Sequence, residues 1–254
     1  MDPDELLEIA RQLVEQAAQN GVTLRILGHL AVREHVVTNR ELITQLKRVP
    51  THDIDFIGYS KEATKANKLF IDTLGYKPDP AVAFSQEYGV GRLIYYHPNG
   101  VMAEIFLDQL KMAHTINFLK RLELDSPTIS LADLLLSKLQ IIQITEKDIK
   151  DLIVLFVEHD LGAGERDKID IDYLIKLTKD DWGLYYTAST NLEKVRSFAR
   201  HYEVIGLDNQ QTVETRLDIL LQKMEEAPKS LRWKTRAKIG TRLKWYEEVG
   251  DVHR

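Results

Sequence analysis

The run Asp53-Ile54-Asp55-Phe56-Ile57 constrains this chain more than any other stretch. Successive residues of a strand face opposite sides, so a strand here puts Asp53 and Asp55 on one face and sends Ile54 and Phe56 into the core. Two carboxylates about 6 to 7 Å apart along a strand repel unless a cation or solvent lies between them, and together they suit one hard divalent cation. Read alone, the pair is equally an exposed strand end with two solvated acids, and for an isolated Asp-x-Asp that plainer reading is the commoner one. The surrounding residues shift the balance. A short strand over residues 23–27 precedes the pair, and Gly28-His29 then opens a helical stretch over residues 30–35.

Elsewhere the patterns are of ordinary kinds. Leu6, Leu7, Ile9, Ala10, Leu13, Val14 and Ala17 recur at helical spacing and Asn20-Gly21 supplies a stop, so residues 3–19 read as an amphipathic helix. A second such helix is expected over residues 61–74, ending at Gly75. Two apolar runs, 92–96 and 101–106, flank His97-Pro98-Asn99-Gly100, and an Asn-Gly turn between such runs is a hairpin signal. On the second of these strands Met102, Glu104 and Phe106 share a face. An acid between two large apolar residues costs free energy unless something pairs with it. The cation held by Asp53 and Asp55 is the simplest candidate partner for Glu104.

From Ser130 onward helical patterns dominate, over residues 131–142, 146–158, 171–177, 192–201 and 212–226. The change falls near Asp125-Ser126-Pro127. The expectation is an α+β protein: a core over residues 1–125, with a mixed sheet flanked by helices, and a helical C-terminal domain over residues 126–254.

Composition narrows the chemistry. The chain has no cysteine, which excludes disulfides, thiolate catalysis and cysteine metal sites and disfavours zinc. The start, Met1-Asp2-Pro3-Asp4-Glu5, is acidic where a signal peptide is basic, and no apolar stretch is long enough to cross a bilayer, so a cytoplasmic protein with no membrane partner is expected. A net charge of −5 means that nucleic-acid binding needs a local basic patch. Residues 229–244 offer one: Lys229, Arg232, Lys234, Arg236, Lys238, Arg242 and Lys244 occur with no acid among them, beside Trp233 and followed by Trp245. Such a stretch can track a phosphate backbone and stack bases, or it can be a solvated helix face lying over acidic neighbours.

A turn glycine opening a helix, then a strand with Asp-x-Asp, then a neighbouring strand with a third acid: in this order the chain resembles the polymerase-β-like nucleotidyltransferase superfamily. More narrowly, Leu131-Ala132-Asp133-Leu134-Leu135-Leu136-Ser137-Lys138-Leu139-Gln140 and Lys147-Asp148-Ile149-Lys150-Asp151-Leu152 resemble the lysine-bearing helix and the Lys-Asp-x-x-Asp-Leu helix of its bacterial branch, which includes the AbiEii and MenT toxin-type enzymes. The similarity spans residues 20–160. It implies transfer of a nucleoside monophosphate from an NTP to an acceptor hydroxyl, with Asp53, Asp55 and Glu104 as catalytic acids holding two Mg²⁺ ions and Asp108 as a lesser substitute for Glu104. It also implies a nucleotide site that includes Gly28, His29 and Lys138, with Asp148 and Asp151 orienting Lys138 or the acceptor. From the residues alone, Lys138 reads as a stem at a helix edge whose ammonium reaches water, and Asp148 and Asp151 as a solvated helix face.

The acceptor implied is RNA, such as a tRNA end approached through residues 229–244, or a protein, with an antitoxin as a further partner. A small hydroxyl-bearing molecule of the aminoglycoside kind is the second enzyme reading, and a catalytically silent nucleotide-binding module is the third. His29 marks a departure, because the superfamily has Gly-Gly or Gly-Ser at this turn. Either it donates a hydrogen bond to phosphate or its bulk narrows the pocket. His52, alternating with Asp53, is expected to face away from the acids in a structural role, and His97, in a turn, to be exposed.

Overall fold

The computed structural model describes residues 2–80, 91–164 and 167–248, arranged in two compact units. The first consists of Met1–His35, Val49–Leu110 and Ile116–Ser130; the second consists of Val36–Arg48, Lys111–Thr115 and Leu131–Arg254. The segments 36–48 and 111–115, which precede the composition change near residue 125, therefore go with the helical unit. Among the described residues no helix is long and apolar enough to cross a membrane.

In the first unit, α1 (Pro3–Gln19) starts where its sequence says it should. The Asp2 carboxylate accepts the Asp4 N–H at 2.8 Å, Pro3 needs no partner for its nitrogen, and the buried stripe Leu6, Leu7, Ala10, Leu13, Val14 and Ala17 faces the core. Each buried leucine on that stripe stabilises the unit by about 1.5–3 kcal/mol. Strands β1 (Leu24–Ile26), β2 (Asp53–Gly58), β3 (Lys77–Pro78), β4 (Arg92–Tyr96) and β5 (Met102–Leu107) form one mixed sheet in the order β1-β2-β5-β4-β3. The β2 and β5 strands run parallel, and the other neighbours are antiparallel. The expected hairpin is β4–β5, closed by His97 N–H to Val101 O at 2.8 Å, with Gly100 at φ +92°.

Residues 61–74 depart from a single helix. A 3₁₀ turn (Ser60–Glu62) leads into α4 (Ala63–Lys68), and a wide π turn over Leu69–Thr73 follows, leaving Leu69 and Phe70 both buried. Phe70 stacks on Tyr95 with centroids 4.6 Å apart, and Tyr95 donates its hydroxyl to Asn67 at 2.5 Å. Helix α2 (Gly28–His35) follows β1 directly.

The second unit is mostly helical among its described residues and contains a short parallel ribbon of β8 (Asp160–Gly162) and β9 (Lys168–Asp170). A further ribbon, β6 (Gln109–Lys111) with β7 (Thr115–Asn117), precedes it in the chain. Its helices are α3 (Arg40–Gln45), α5 (Leu131–Leu139), α6 (Glu146–Glu158), α7 (Ile171–Thr178), α8 (Trp182–His201), α9 (Leu207–Glu226) and α10 (Leu231–Ile239). Every residue of α5 is buried, as expected of a central helix that is apolar nearly all round. Its C-terminal carbonyls are satisfied from α8: Asn191 Nδ2 donates to Leu139 O at 2.9 Å and Ile141 O at 2.7 Å.

Two helices begin earlier than their sequence patterns indicate. α8 starts ten residues before Leu192, because Asp181 caps it by accepting the Leu184 N–H at 3.0 Å and Trp182, Leu184 and Ala188 are buried. Gly183, Tyr185, Tyr186 and Thr187 are weak helix formers, and packing overrides them. α9 begins at Leu207, within a polar run that carries no apolar stripe.

Candidate active site

Alternation in β2 does what the sequence requires. Ile54 and Phe56 are fully buried, while Asp53 and Asp55 are half-buried on the other face. The parallel register sets Asp53 opposite Met102 and Asp55 directly opposite Glu104, so all three acids occupy one face on neighbouring strands. Adjacent strands lie about 4.8 Å apart, which makes Glu104 a closer neighbour of Asp55 than Asp53 is.

Glu104 already has a protein partner. Arg92 Nη1 donates to its Oε1 at 2.9 Å from β4, and Glu104 is only 6% exposed. The expectation that Glu104 demands a partner is met here by a guanidinium on the sheet. Sequence reasoning missed Arg92, although the hairpin register could have found it. Ile94 pairs with Glu104 across β4–β5, and Arg92, two residues earlier, shares Ile94's face. Among the described residues no three acids or histidines are already grouped as a metal cluster. The donor set nevertheless fits a hard divalent cation, being all carboxylate oxygen, with two acids half-exposed and the third next to them in register. Thr51 fixes one end of the row, its hydroxyl donating to Asp53 Oδ1 at 2.5 Å.

Gly28 is required where it stands. Its φ is +67°, and a Cβ built there would lie 2.8 Å from Asp55 Oδ2, so only glycine lets the turn pass this close to the carboxylate. The backbone beside it is tied to the same strand, Leu27 N–H donating to Asp55 O at 2.7 Å. His29 follows at the start of α2 and is buried.

Three other sequence expectations land elsewhere. Asp108 lies beyond the far end of β5, at φ +61°, where it accepts the Ser60 N–H at 3.0 Å; three residues of strand separate it from Glu104, too far for it to replace that acid. His52 is exposed and not part of the packing. His97 is half-buried rather than exposed, because its ring packs on Tyr76 at 4.8 Å.

Lys138, Asp148 and Asp151 come together in the second unit. The Lys138 ammonium lies 3.1 Å from Asp148 Oδ1 and 2.8 Å from Asp151 Oδ2, and Arg48, unforeseen from sequence, forks onto both Asp151 oxygens at 3.2 Å. Thr145 donates its hydroxyl to Asp148 Oδ2 at 2.7 Å, so the acid also caps α6. Lys138 does not reach water at a helix edge, and Asp151 is not a solvated face; both are buried. Burial alone would lower the Lys138 pKa, but Asp151 and Asp148 outweigh it and hold the ammonium above the ordinary lysine value.

The basic stretch of residues 229–244 forms α10 and the turn after it, with no residue of α10 buried. Part of its charge is engaged locally: Arg236 donates to Gly240 O at 2.6 Å and Leu243 O at 2.7 Å, Lys229 to Met224 O, and Lys244 pairs with Glu248.

No protein-family model matches the sequence, and no curated protein matches it. Among solved structures the chain is similar to an antigenic nucleotidyltransferase-like protein from Paracoccidioides brasiliensis, at 13% identity over 89% of this chain and 95% of that one, with a TM-score of 0.38. A likeness that slight carries no argument about the site.

Proposed function

We propose that the first unit transfers a nucleoside monophosphate from an NTP to an acceptor hydroxyl and releases pyrophosphate. The observation that carries this reading is the registry of Asp55 with Glu104 on adjacent parallel strands, with the Gly28 turn held against Asp55. Mg²⁺ bound there, at one or two positions, would neutralise the triphosphate and lower the pKa of the attacking hydroxyl. Asp53 and Asp55 would hold it from β2, and Glu104 would join them by exchanging Arg92. Of the chain's own groups, Gly28 leaves room for phosphate beside the first N–H groups of α2, and His29 sits at that turn. Glu104 accepts the hydroxyl proton as the hydroxyl oxygen bonds to the α-phosphorus and the bond to the bridging oxygen breaks, its electron pair leaving with pyrophosphate.

The resemblance further implies that Lys138 meets the triphosphate, with Asp148 and Asp151 as its positioning residues; in the second unit these three already pair with one another. The acceptor would be an RNA end or a protein, as in the toxin-type enzymes the sequence resembles, with an antitoxin as partner; a small molecule such as an aminoglycoside is the alternative. Incubation with each labelled NTP, Mg²⁺ and total cellular RNA, protein or an aminoglycoside tests the reading. Label is expected in one acceptor and lost in Asp55→Asn; no label in any acceptor, together with no binding of Mg-NTP, overturns it. Lys138→Ala is expected to weaken NTP binding, and unchanged affinity removes Lys138 from the site.

A catalytically silent nucleotide-binding module is the second reading, favoured by the engagement of Glu104 with Arg92 and by the side chain of His29 at the glycine turn. Calorimetric binding of MgATP or MgCTP without turnover would support it.

A further inference from the structure

In the sheet order β2-β5-β4, Glu104 stands on the middle strand, with Asp55 on one side and Arg92 on the other. Asp55 is its direct register partner. Arg92 lies one diagonal step away on the same face, since its own register partner is Phe106. Glu104 can therefore be drawn to either side, and here the draw is toward β4, with Arg92 Nη1 donating to Oε1 at 2.9 Å. The strands β2 and β4 lie about 9–10 Å apart, twice the spacing of neighbours. Carboxylate oxygens that share one Mg²⁺ shell approach one another to about 3 Å. An ion shared by Asp55 and Glu104 therefore pulls Glu104 away from β4, and it also sets two positive charges beside the guanidinium. Arg92 and the ion compete for one carboxylate.

The displaced guanidinium has somewhere to go. The Arg92 side chain is 27% exposed while Glu104 is buried, so Arg92 reaches the carboxylate from the solvent side of the face. Next to it the strand is fixed, Leu107 N–H donating to Gly91 O at 2.8 Å, which leaves the side chain and not the backbone to move. Away from Glu104, Arg92 keeps its charge and its planar fork. Phosphate oxygens fit that fork as a carboxylate does.

We propose that Arg92 couples cation binding to nucleotide binding: it holds Glu104 in the free protein and passes to the triphosphate when Glu104 turns to the cation. This rests on the transfer reading and adds a regulation to it. A divalent cation alone binds weakly, because it must push Arg92 off Glu104 with no anion to receive the guanidinium. A triphosphate supplies that anion. By linkage, cation and nucleotide each raise the other's affinity by the same factor.

Binding, not turnover, tests this on the full chain. Electron spin resonance of free Mn²⁺ measures the cation, and equilibrium dialysis of the four labelled α,β-methylene NTPs, with Mn²⁺ or with EDTA, measures the nucleotide. Arg92→Gln is expected to bind Mn²⁺ alone about tenfold more tightly than the parent, and nucleotide with Mn²⁺ about tenfold more weakly. Arg92→Lys should return Mn²⁺ affinity toward the parent's, since its charge still opposes the ion, and recover only part of the nucleotide affinity, since an ammonium has no fork. A purely structural pair would loosen both in Arg92→Gln or change neither. If the Gln variant does not fold, the Lys variant decides, and parental nucleotide affinity there overturns the proposal. Equal or weaker Mn²⁺ binding by Arg92→Gln, with the parent's binding lost in Asp55→Asn, overturns the proposal and leaves the transfer reading standing. Mn²⁺ binding that is unchanged in Asp55→Asn, or absent from the parent and Arg92→Gln alike, faults the transfer reading and the proposal with it.

Discussion

Two clusters of acids in this chain look alike in sequence and differ in state. In the first unit, Asp53 and Asp55 stand half-buried on one sheet face beside a glycine turn, next to Glu104, to which Arg92 donates. In the second, all four oxygens of Asp148 and Asp151 are occupied, by Lys138, Arg48 and Thr145, and Asp151 is only 1% exposed. A closed buried network is costly to open, since removing one member strands the others' charge in low dielectric. An acid row at a half-exposed edge can take on a cation and change partners at small cost. The difference teaches that Asp-x-Asp and Asp-x-x-Asp are separated by burial and by the groups brought against them, not by their carboxylates.

The sharpest way to break the comparison is to neutralise one acid in each cluster. Asp55→Asn should lower transfer at least about a thousandfold, some 4 kcal/mol of transition-state stabilisation, while leaving the urea midpoint almost unchanged. Near-normal turnover in this variant would mean that the acid row has no part in transfer. Asp151→Ala should do the reverse in stability, costing about 3–5 kcal/mol because Lys138 and Arg48 lose their shared carboxylate. A loss under about 1 kcal/mol by urea unfolding would show that the network is no tighter than an exposed pair.

Gly28→Ala sharpens the first half of the comparison. The left-handed backbone at φ +67° costs a non-glycine residue about 1–2 kcal/mol, and the new methyl presses on Asp55 Oδ2. Both stability and Mg²⁺-dependent protection of the first unit should fall. If metal protection, followed by hydrogen exchange, is the same as in the parent, Asp55 is not the group the glycine makes room for.

How much of this was legible follows from how local each signal is. The period of two in residues 53–57 and the helical periods of α1 and α6 are carried by neighbours in sequence, and those elements form where the patterns lie. The shared face of Asp53 and Asp55 was legible for the same reason. The direct pairing of Asp55 with Glu104 was not, because it depends on β2 choosing β5 as a parallel neighbour. Arg92 was readable in the hairpin register and was passed over in favour of a cation. Arg48 carried no signal, since it meets Asp151 about a hundred residues later in the chain. Helix α3 was equally hidden: the segment that leads into it, Val37 to Asn39, is held by Glu158, far along the sequence.

That clamp supplies the smallest test, and it extends the contrast to a third carboxylate. Glu158 accepts N–H groups from Val37 at 2.9 Å, Thr38 at 2.7 Å and Asn39 at 2.9 Å, and the Asn39 side chain at 2.7 Å, so like Asp151 it is committed to holding structure. Burial pushes its pKa up, but the donors of Thr38, Asn39 and Val37 outweigh that and hold it below the ordinary carboxylate value. A depressed folded pKa means stability that is fully present above the unfolded value, about 4.3, and lost as pH falls through the folded one. Glu158→Gln should therefore be less stable than the parent by about 1–2 kcal/mol at pH 7, and the gap should close on acidification below about pH 4. Urea unfolding of both proteins at pH 7, 5 and 3.5 measures it. A gap that stays constant across that series would mean that the amide and the carboxylate anchor α3 equally well, and that charge plays no part in the clamp.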